Sequence, residues 1–327
     1  MFKYAGIKER FRMESAAAEE RVYAFREVRT CVMCGGSAFR PLGRRLDRSQ
    51  GARPRRKTGL SVSVQRCQTC GLIFPQPLPV PQTLAQHYDL PADEYWSAER
   101  VAGAGPTFAS EVSTTLELLG RTDSSGLTAL DIGAGFGATL RALGEAGFDA
   151  VGVEPSPAFR RTAIEQLGVE SERIVLASIE DEASLQALHP LIPEGGFDLI
   201  SFGAVLEHLV DPGSALLRAL EWLAPDGVLH IEVPSARWLM SRLFNLYFTL
   251  RGTDFVTHLS PMHSPYHLYE FTLDSFARHG KTHGYEIVRH SRMVGDTFVP
   301  WPLDPFAKGL MRATGTGLQL TVWLRKS

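Results

Sequence analysis

The sequence predicts a doubly wound α/β fold preceded by a small module built on cysteines. Three observations lead there. From Leu127 onward, short apolar runs alternate with segments whose apolar residues recur every three to four positions. That is the rhythm of strands and helices that cover both faces of a parallel sheet. A glycine-rich turn, Gly133-Ala134-Gly135-Phe136-Gly137, stands where the first run ends and the first helix opens. All four cysteines fall in two C-x-x-C pairs ahead of these elements.

Residues 1–29 mix alanines, charges and spaced apolar side chains. Phe11, Val22 and Phe25 fall near one helical face, which predicts an amphipathic helix over 7–28, packed on the body of the protein or on a second copy as a homodimer. This stretch has no apolar signal region. No window approaches the roughly 18 uncharged apolar residues of a membrane span. The nearest, 238–250, is interrupted by Arg242 and Asn245. The expected location is the cytoplasm. A length of 327 residues suits about two domains, and 44% hydrophobic residues exclude wholesale disorder. Lys+Arg 34 against Asp+Glu 36 argues against a general nucleic-acid or membrane-surface binder.

Residues 30–79 form the cysteine module. Cys31-Val-Met-Cys34 and Cys67-Gln-Thr-Cys70 lie 32 residues apart, and each pair is followed by glycine. A C-x-x-C turn lets both thiolates reach one tetrahedral ion, and four thiolates close its shell. The pattern therefore points to a structural zinc site, zinc-ribbon-like, rather than a catalytic one. A segment of this size with few large apolar groups has need of such an ion. Between the pairs run Arg40, Arg44, Arg45, Arg48, Arg53, Arg55, Arg56 and Lys57 against Asp47. This is a solvated loop or a phosphate-binding one; it holds no aromatic residue for stacking bases, so nucleic-acid binding is disfavoured. Prolines 75, 77, 79 and 81 read as a linker. Residues 80–125 then read as helical, capping the cofactor side of the next domain.

In residues 126–327 the expected strands are 127–132, 150–153, 173–176, 197–202, 227–233, 285–290 and 318–324. The expected helices include 139–146, 157–167, 214–223 and 273–279. The glycine turn carries the ligand chemistry. Gly133 and Gly135 permit a tight turn and a close approach, and Glu154, 21 residues after Gly133, ends the second strand where an acid meets ribose hydroxyls. Gly133, Gly135 and Ala138 also satisfy the dinucleotide pattern. Asp131 discriminates: a carboxylate beside the loop repels a pyrophosphate and attracts the sulfonium and ammonium of S-adenosylmethionine.

Leu130-Asp131-Ile132-Gly133-Ala134-Gly135-Phe136-Gly137 resembles motif I of class I S-adenosylmethionine-dependent methyltransferases. Val151-Gly152-Val153-Glu154-Pro155-Ser156, Phe197-Asp198-Leu199-Ile200 with Val205-Leu206-Glu207-His208-Leu209, and Leu223-Ala224-Pro225-Asp226-Gly227 resemble the later motifs in order. His267-Leu268-Tyr269-Glu270-Phe271-Thr272 is similar to a segment of the ubiquinone-methyltransferase-like branch. Cys67 to Pro77, followed by Tyr88 and Tyr95, resembles the N-terminal zinc-binding module of sugar and natural-product methyltransferases; the Glu-His pair of their sugar C-methylating members is missing here.

The resemblance implies a Rossmann-like sheet of seven strands, the last antiparallel. It implies cofactor contacts at Asp131, Gly133, Gly135, Gly137, Glu154, Pro155, Ser178, Ile179, Glu180, Ala204 and Tyr95. Methyl transfer to a hydroxyl needs a base, and His208, His263 and His267 are the candidates; His189, His279, His283 and His290 read as surface residues. Residues 236–270, with the apolar run from Trp238 to Phe248, read as a lid or substrate insertion. The expected reaction is methylation, at oxygen, of a small molecule: a sugar, glycolipid or natural-product intermediate. Two alternatives stay open, an RNA methyltransferase with a zinc module and a non-catalytic zinc adapter.

Overall fold

A computed structural model describes residues 23–45, 62–82, 108–259, 267–295, 297–300 and 302–327. Tyr95, His263, most of the arginine loop and the first 22 residues lie outside the described residues.

The N-terminal part is built of strands. β1 (Tyr23–Arg26) pairs antiparallel with β5 (Leu78–Pro81). β2 (Phe39–Arg45), β3 (Ser63–Cys67) and β4 (Ile73–Gln76) form an antiparallel meander. Two expectations are corrected here. Residues 23–26 are strand, not helix, because their backbone is paired along β5, and Gln76 takes both the N–H and the C=O of Val28. The proline-rich stretch is not a linker: β4 and β5 run through it. β5 is an edge strand of a two-stranded sheet, where a missing N–H is tolerated.

After α1 (Ala109–Leu119) comes the main sheet: β6 (Thr128–Ile132), β7 (Asp149–Glu154), β8 (Ile174–Leu176), β9 (Phe197–Gly203), β10 (Leu223–Pro234), β12 (Tyr285–Met293) and β13 (Gln319–Lys326). Their order is β8-β7-β6-β9-β10-β13-β12, with β13 antiparallel to both neighbours and the others mutually parallel. This is the expected seven-stranded methyltransferase sheet. The helices that cross between strands include α2 (Ala138–Glu145), α3 (Pro157–Leu167) and α4 (Pro212–Trp222). Each is begun by local chemistry: a left-handed Gly137 ahead of α2, and the side chains of Ser156 and Asp211 accepting the backbone N–H of Phe159 and Ser214 ahead of the others.

The cysteine module has no separate interior. Val64, Leu72, Ile73 and Phe74 share one apolar cluster with Leu206, Leu216, Tyr269, Phe271 and Phe276. The short β11 (Phe255–Val256) adds to β2 in parallel, and Arg44 binds Asp254 with two hydrogen bonds. Part of segment 236–270 is thus a strand of the N-terminal sheet, so it is not wholly a lid. Its helix α5 (Leu239–Leu250) does leave Leu243, Leu246, Tyr247 and Leu250 exposed. α6 (Leu273–His283) starts on a reciprocal Thr272–Ser275 cap, and α7 (Asp304–Thr314) precedes β13. His279, expected at the surface, is buried and hydrogen-bonded to Tyr285; burial, then His283, lowers its pKa to about 4.

Candidate functional site

The site lies at the carboxyl ends of the parallel strands, where β6 and β9 diverge in connection. The turn after β6 is folded back on β7: the N–H groups of Gly133 and Ala134 both donate to the carbonyl of Val153, at 2.8 and 3.0 Å. Gly133 has φ +71°, and a Cβ there would stand 2.5 Å from Val205. Gly135 has φ +57°, yet a Cβ there would meet nothing within 4 Å, so this face of the turn is open to a ligand. Gly133→Val should accordingly abolish cofactor binding in a calorimetric titration of folded protein, since both the backbone and Val205 would have to move.

Two carboxylates sit under this turn. Glu154 is buried, and its oxygens accept the N–H groups of Gly135 and Ser156, both at 2.7 Å. Asp131 is 2% exposed. Burial, then the charge of Glu154, raises Asp131 to about 8, and burial raises Glu154 to about 7. Neither has a cationic partner among the described residues. Two acids held dry without a cation fit a ligand that brings positive charge.

The turn after β9 packs on the glycine turn through Val205. Ala204 has φ +56°, with its N–H on the carbonyl of Glu232, so the chain reverses sharply at the strand end. That reversal brings Val205 against Gly133 and turns Glu207 and His208 inward. Glu207 is 1% exposed and its pKa is raised by burial to about 8. His267 Nε2 stands 4.0 Å from Glu207 Oε1, and the His267 and His208 rings meet edge-on at 4.7 Å. One donor atom from each of Glu207, His208 and His267 lies within 4.8 Å of the others.

Two of the sequence-based candidates, His208 and His267, are thus brought together, and the pair acquires a carboxylate that the sequence reading left out as a site residue. Periodicity gave no signal for Glu207; its place beside His208 in the strand-end motif did. Ser178, Ile179 and Glu180 behave differently. Ile179 is part of the core, Ser178 Oγ accepts the Glu180 N–H, and Glu180 Oε1 accepts the N–H groups of Val210 and Asp211. Glu180 therefore spends one oxygen fixing the loop that carries Glu207. Pro155 lies between Glu154 and the helix-capping Ser156. A second buried pair that the sequence did not reveal, His258 with Glu270 at 2.6 Å, ties the chain three residues beyond His267 to the segment after β11.

In the cysteine module both turns have the same form. Gly35 and Gly71 donate to the carbonyls of Cys31 and Cys67, at 2.8 and 3.0 Å, and the N–H groups of those cysteines bind the carbonyls of Gly36 and Leu72. The four sulfurs lie within 4.8 Å of one another, with Cys31–Cys70 at 3.6 Å and Cys34–Cys67 at 3.5 Å.

The model of the family described as methyltransferase domain matches residues 107–290, more than half of the chain. The chain belongs to the methyltransferase family. Among curated proteins it is similar to the ubiquinone biosynthesis O-methyltransferase of Methylococcus capsulatus, 30% identical over 43% of this chain and 55% of that one. The protein of the same name from Bradyrhizobium diazoefficiens is 27% identical over 35% of this chain and 42% of that one. The chain thus spans about half the length of these relatives. Among solved structures it aligns with a methyltransferase of Thermotoga maritima at 15% identity, over 75% of this chain and all of that one, with a TM-score of 0.46. No helix among the described residues is long and apolar enough to cross a membrane.

Proposed function

We propose that this methyltransferase uses S-adenosylmethionine to methylate a hydroxyl group of a small molecule. The observation that carries the proposal is the pair of buried carboxylates, Asp131 and Glu154, held without a cationic partner among the described residues under a glycine turn that packs on Val205, two residues before Glu207. S-adenosylmethionine supplies an activated methyl group and the two cationic centres that such carboxylates favour. Asp131 would serve the methionyl end and Glu154 the ribose hydroxyls, beside the backbone of the Gly133–Gly137 turn and Ala204. The names of the two curated relatives support oxygen as the acceptor.

Displacement at a sulfonium needs alignment more than acid–base work, but a hydroxyl nucleophile must lose its proton. His267 is the base in this proposal. Glu207, 4.0 Å from the His267 ring, is a positioning residue: an imidazolium forming beside it would draw Glu207 to its ionised form, which would then stabilise that charge. His208, edge-on to His267, fixes the ring from the other side.

With a phenolic or catecholic acceptor panel, His267→Asn should lower kcat by about 10²–10⁴-fold. Affinity for sinefungin, which carries an amine where the sulfonium sits, should not change. An unchanged kcat would remove His267 as base. Absence of sinefungin binding in the parent protein would overturn the cofactor assignment.

The same proposal includes structural zinc on Cys31, Cys34, Cys67 and Cys70. A tetrahedral ion with sulfur at about 2.3 Å spaces its ligands by about 3.8 Å, and the observed 3.5 and 3.6 Å fit.

A further inference from the structure

A second cleft lies between the cysteine module and the outer strands of the sheet, and nothing in the methyl-transfer chemistry uses it. It measures about 700 Å³. Five arginines line it: Arg40 on β2, Arg66 on β3, Arg237 just beyond β10, Arg242 on α5 and Arg292 on β12. They come from both ends of the chain and converge only in the folded state. Arg66 feels the charges of Arg40, Arg242 and Arg237, and Arg292 feels that of Arg237.

We propose that this cleft binds a phosphate-bearing small molecule through its diphosphate group.

The charge balance supports this. None of the five makes an ion pair among the described residues, and Arg292 Nε is buried with no hydrogen-bond partner there. The acid in the lining, Asp274, is already bound to Arg278 at 2.7 Å. Cys67 and Cys70 share the lining, and zinc held as proposed above would bring two excess negative charges to that wall, answering two of the five guanidinium groups and leaving three. A diphosphate brings about that much charge, and guanidinium forks match its oxygens in pairs.

Gln68 and Thr69 add polar side chains at the rim, and the start of α6 places partial positive charge on the same wall. The cleft size is that of a small-molecule site. Among the described residues no aromatic side chain lines it, so they offer none of the stacking surface that single-stranded RNA uses.

The cleft stands independently of the methyl-transfer proposal, because it makes its claim on binding alone. The test is calorimetric titration of the full, zinc-loaded chain with inorganic pyrophosphate, with sulfate and a short single-stranded RNA as comparisons. Pyrophosphate should bind in the micromolar range, at least tenfold tighter than sulfate. Arg237→Ala, on an exposed side chain, and Arg292→Ala should each weaken it at least tenfold while zinc content is kept, and Arg141→Ala on α2 should leave it unchanged. No heat at millimolar pyrophosphate, or affinity indifferent to both cleft substitutions, overturns the proposal. So does RNA that binds more tightly and displaces pyrophosphate. Zinc lost from both variants, with no pyrophosphate binding in the parent, would make the arginines counter-charges for the thiolates alone.

Discussion

Sinefungin should bind more tightly as pH rises from 6 to 8.5, by up to about tenfold where Glu154 must ionise and by up to several tens of fold where Asp131 must. The reason is the state of the site before the ligand arrives. Asp131 at about 8 and Glu154 at about 7 are substantially protonated near neutrality. A cationic ligand favours their ionised forms, so binding expels protons and strengthens until the pH passes both values. The free protein carries the opposite sign. A carboxyl whose folded pKa is raised contributes stability below its unfolded value, and that contribution is lost as pH climbs toward the folded one. Between about pH 4 and 8 these two groups therefore erode the stability of the free protein. The rise in Tm given by sinefungin should grow over the same window. Asp131→Asn should flatten most of the pH dependence of Kd, whereas a steep dependence that survives in Asp131→Asn and Glu154→Gln would locate the titrating group elsewhere.

With zinc on Cys31, Cys34, Cys67 and Cys70, as proposed, its removal should unfold the whole molecule in one transition rather than loosen the N-terminal part alone. Structural zinc is worth about 10–16 kcal/mol in peptide sites, as much as the net stability of a typical domain, about 5–15 kcal/mol. The coupling is visible in the packing: Leu72, Ile73 and Phe74 belong to the same apolar cluster as Phe271 and Phe276, and Thr272 Oγ1 donates to the carbonyl of Cys70 at 2.6 Å. Cys67→Ser, or a strong chelator at elevated temperature, should lower a single calorimetric Tm and abolish sinefungin binding together. Two separated transitions, with the glycine-turn site still competent, would refute the coupling.

Much of the fold was legible because its signals are local. The apolar runs at 127–132, 150–153 and 197–202 are buried on both faces, so they read as strands before any pairing is known. Gly133 and Gly135 are required by positive φ within a few residues of the strand end. The two cysteine turns repeat one short pattern. What was not legible depends on distant partners. Residues 23–26 are extended because 78–81 accompany them, and the helical spacing of Phe11, Val22 and Phe25 outweighed that. The prolines looked like a break because their tolerance at a sheet edge cannot be seen without the sheet. Glu207 needed the reversal at Ala204 to face His267. His279 looked like a surface residue until Tyr285 covered it. The five arginines of the second cleft span positions 40 to 292, and no window of sequence contains them.

The bond from Thr272 to Cys70 joins residues 202 positions apart, and Arg44 reaches Asp254 across 210. Synthesis proceeds from the N-terminus at about 5–20 residues per second. The strands of the cysteine module thus emerge some ten to forty seconds before the segment that seals them. Through that interval an apolar sheet with an open edge waits in the company of other nascent chains, the arrangement most prone to edge-to-edge association. Early capture of the metal would hold the meander in register until residues 255–256 and 270–272 arrive. With zinc on the four cysteines, as proposed, the ion would do most for this protein in the first minute of its life, and a cell short of zinc should then accumulate the chain as aggregate.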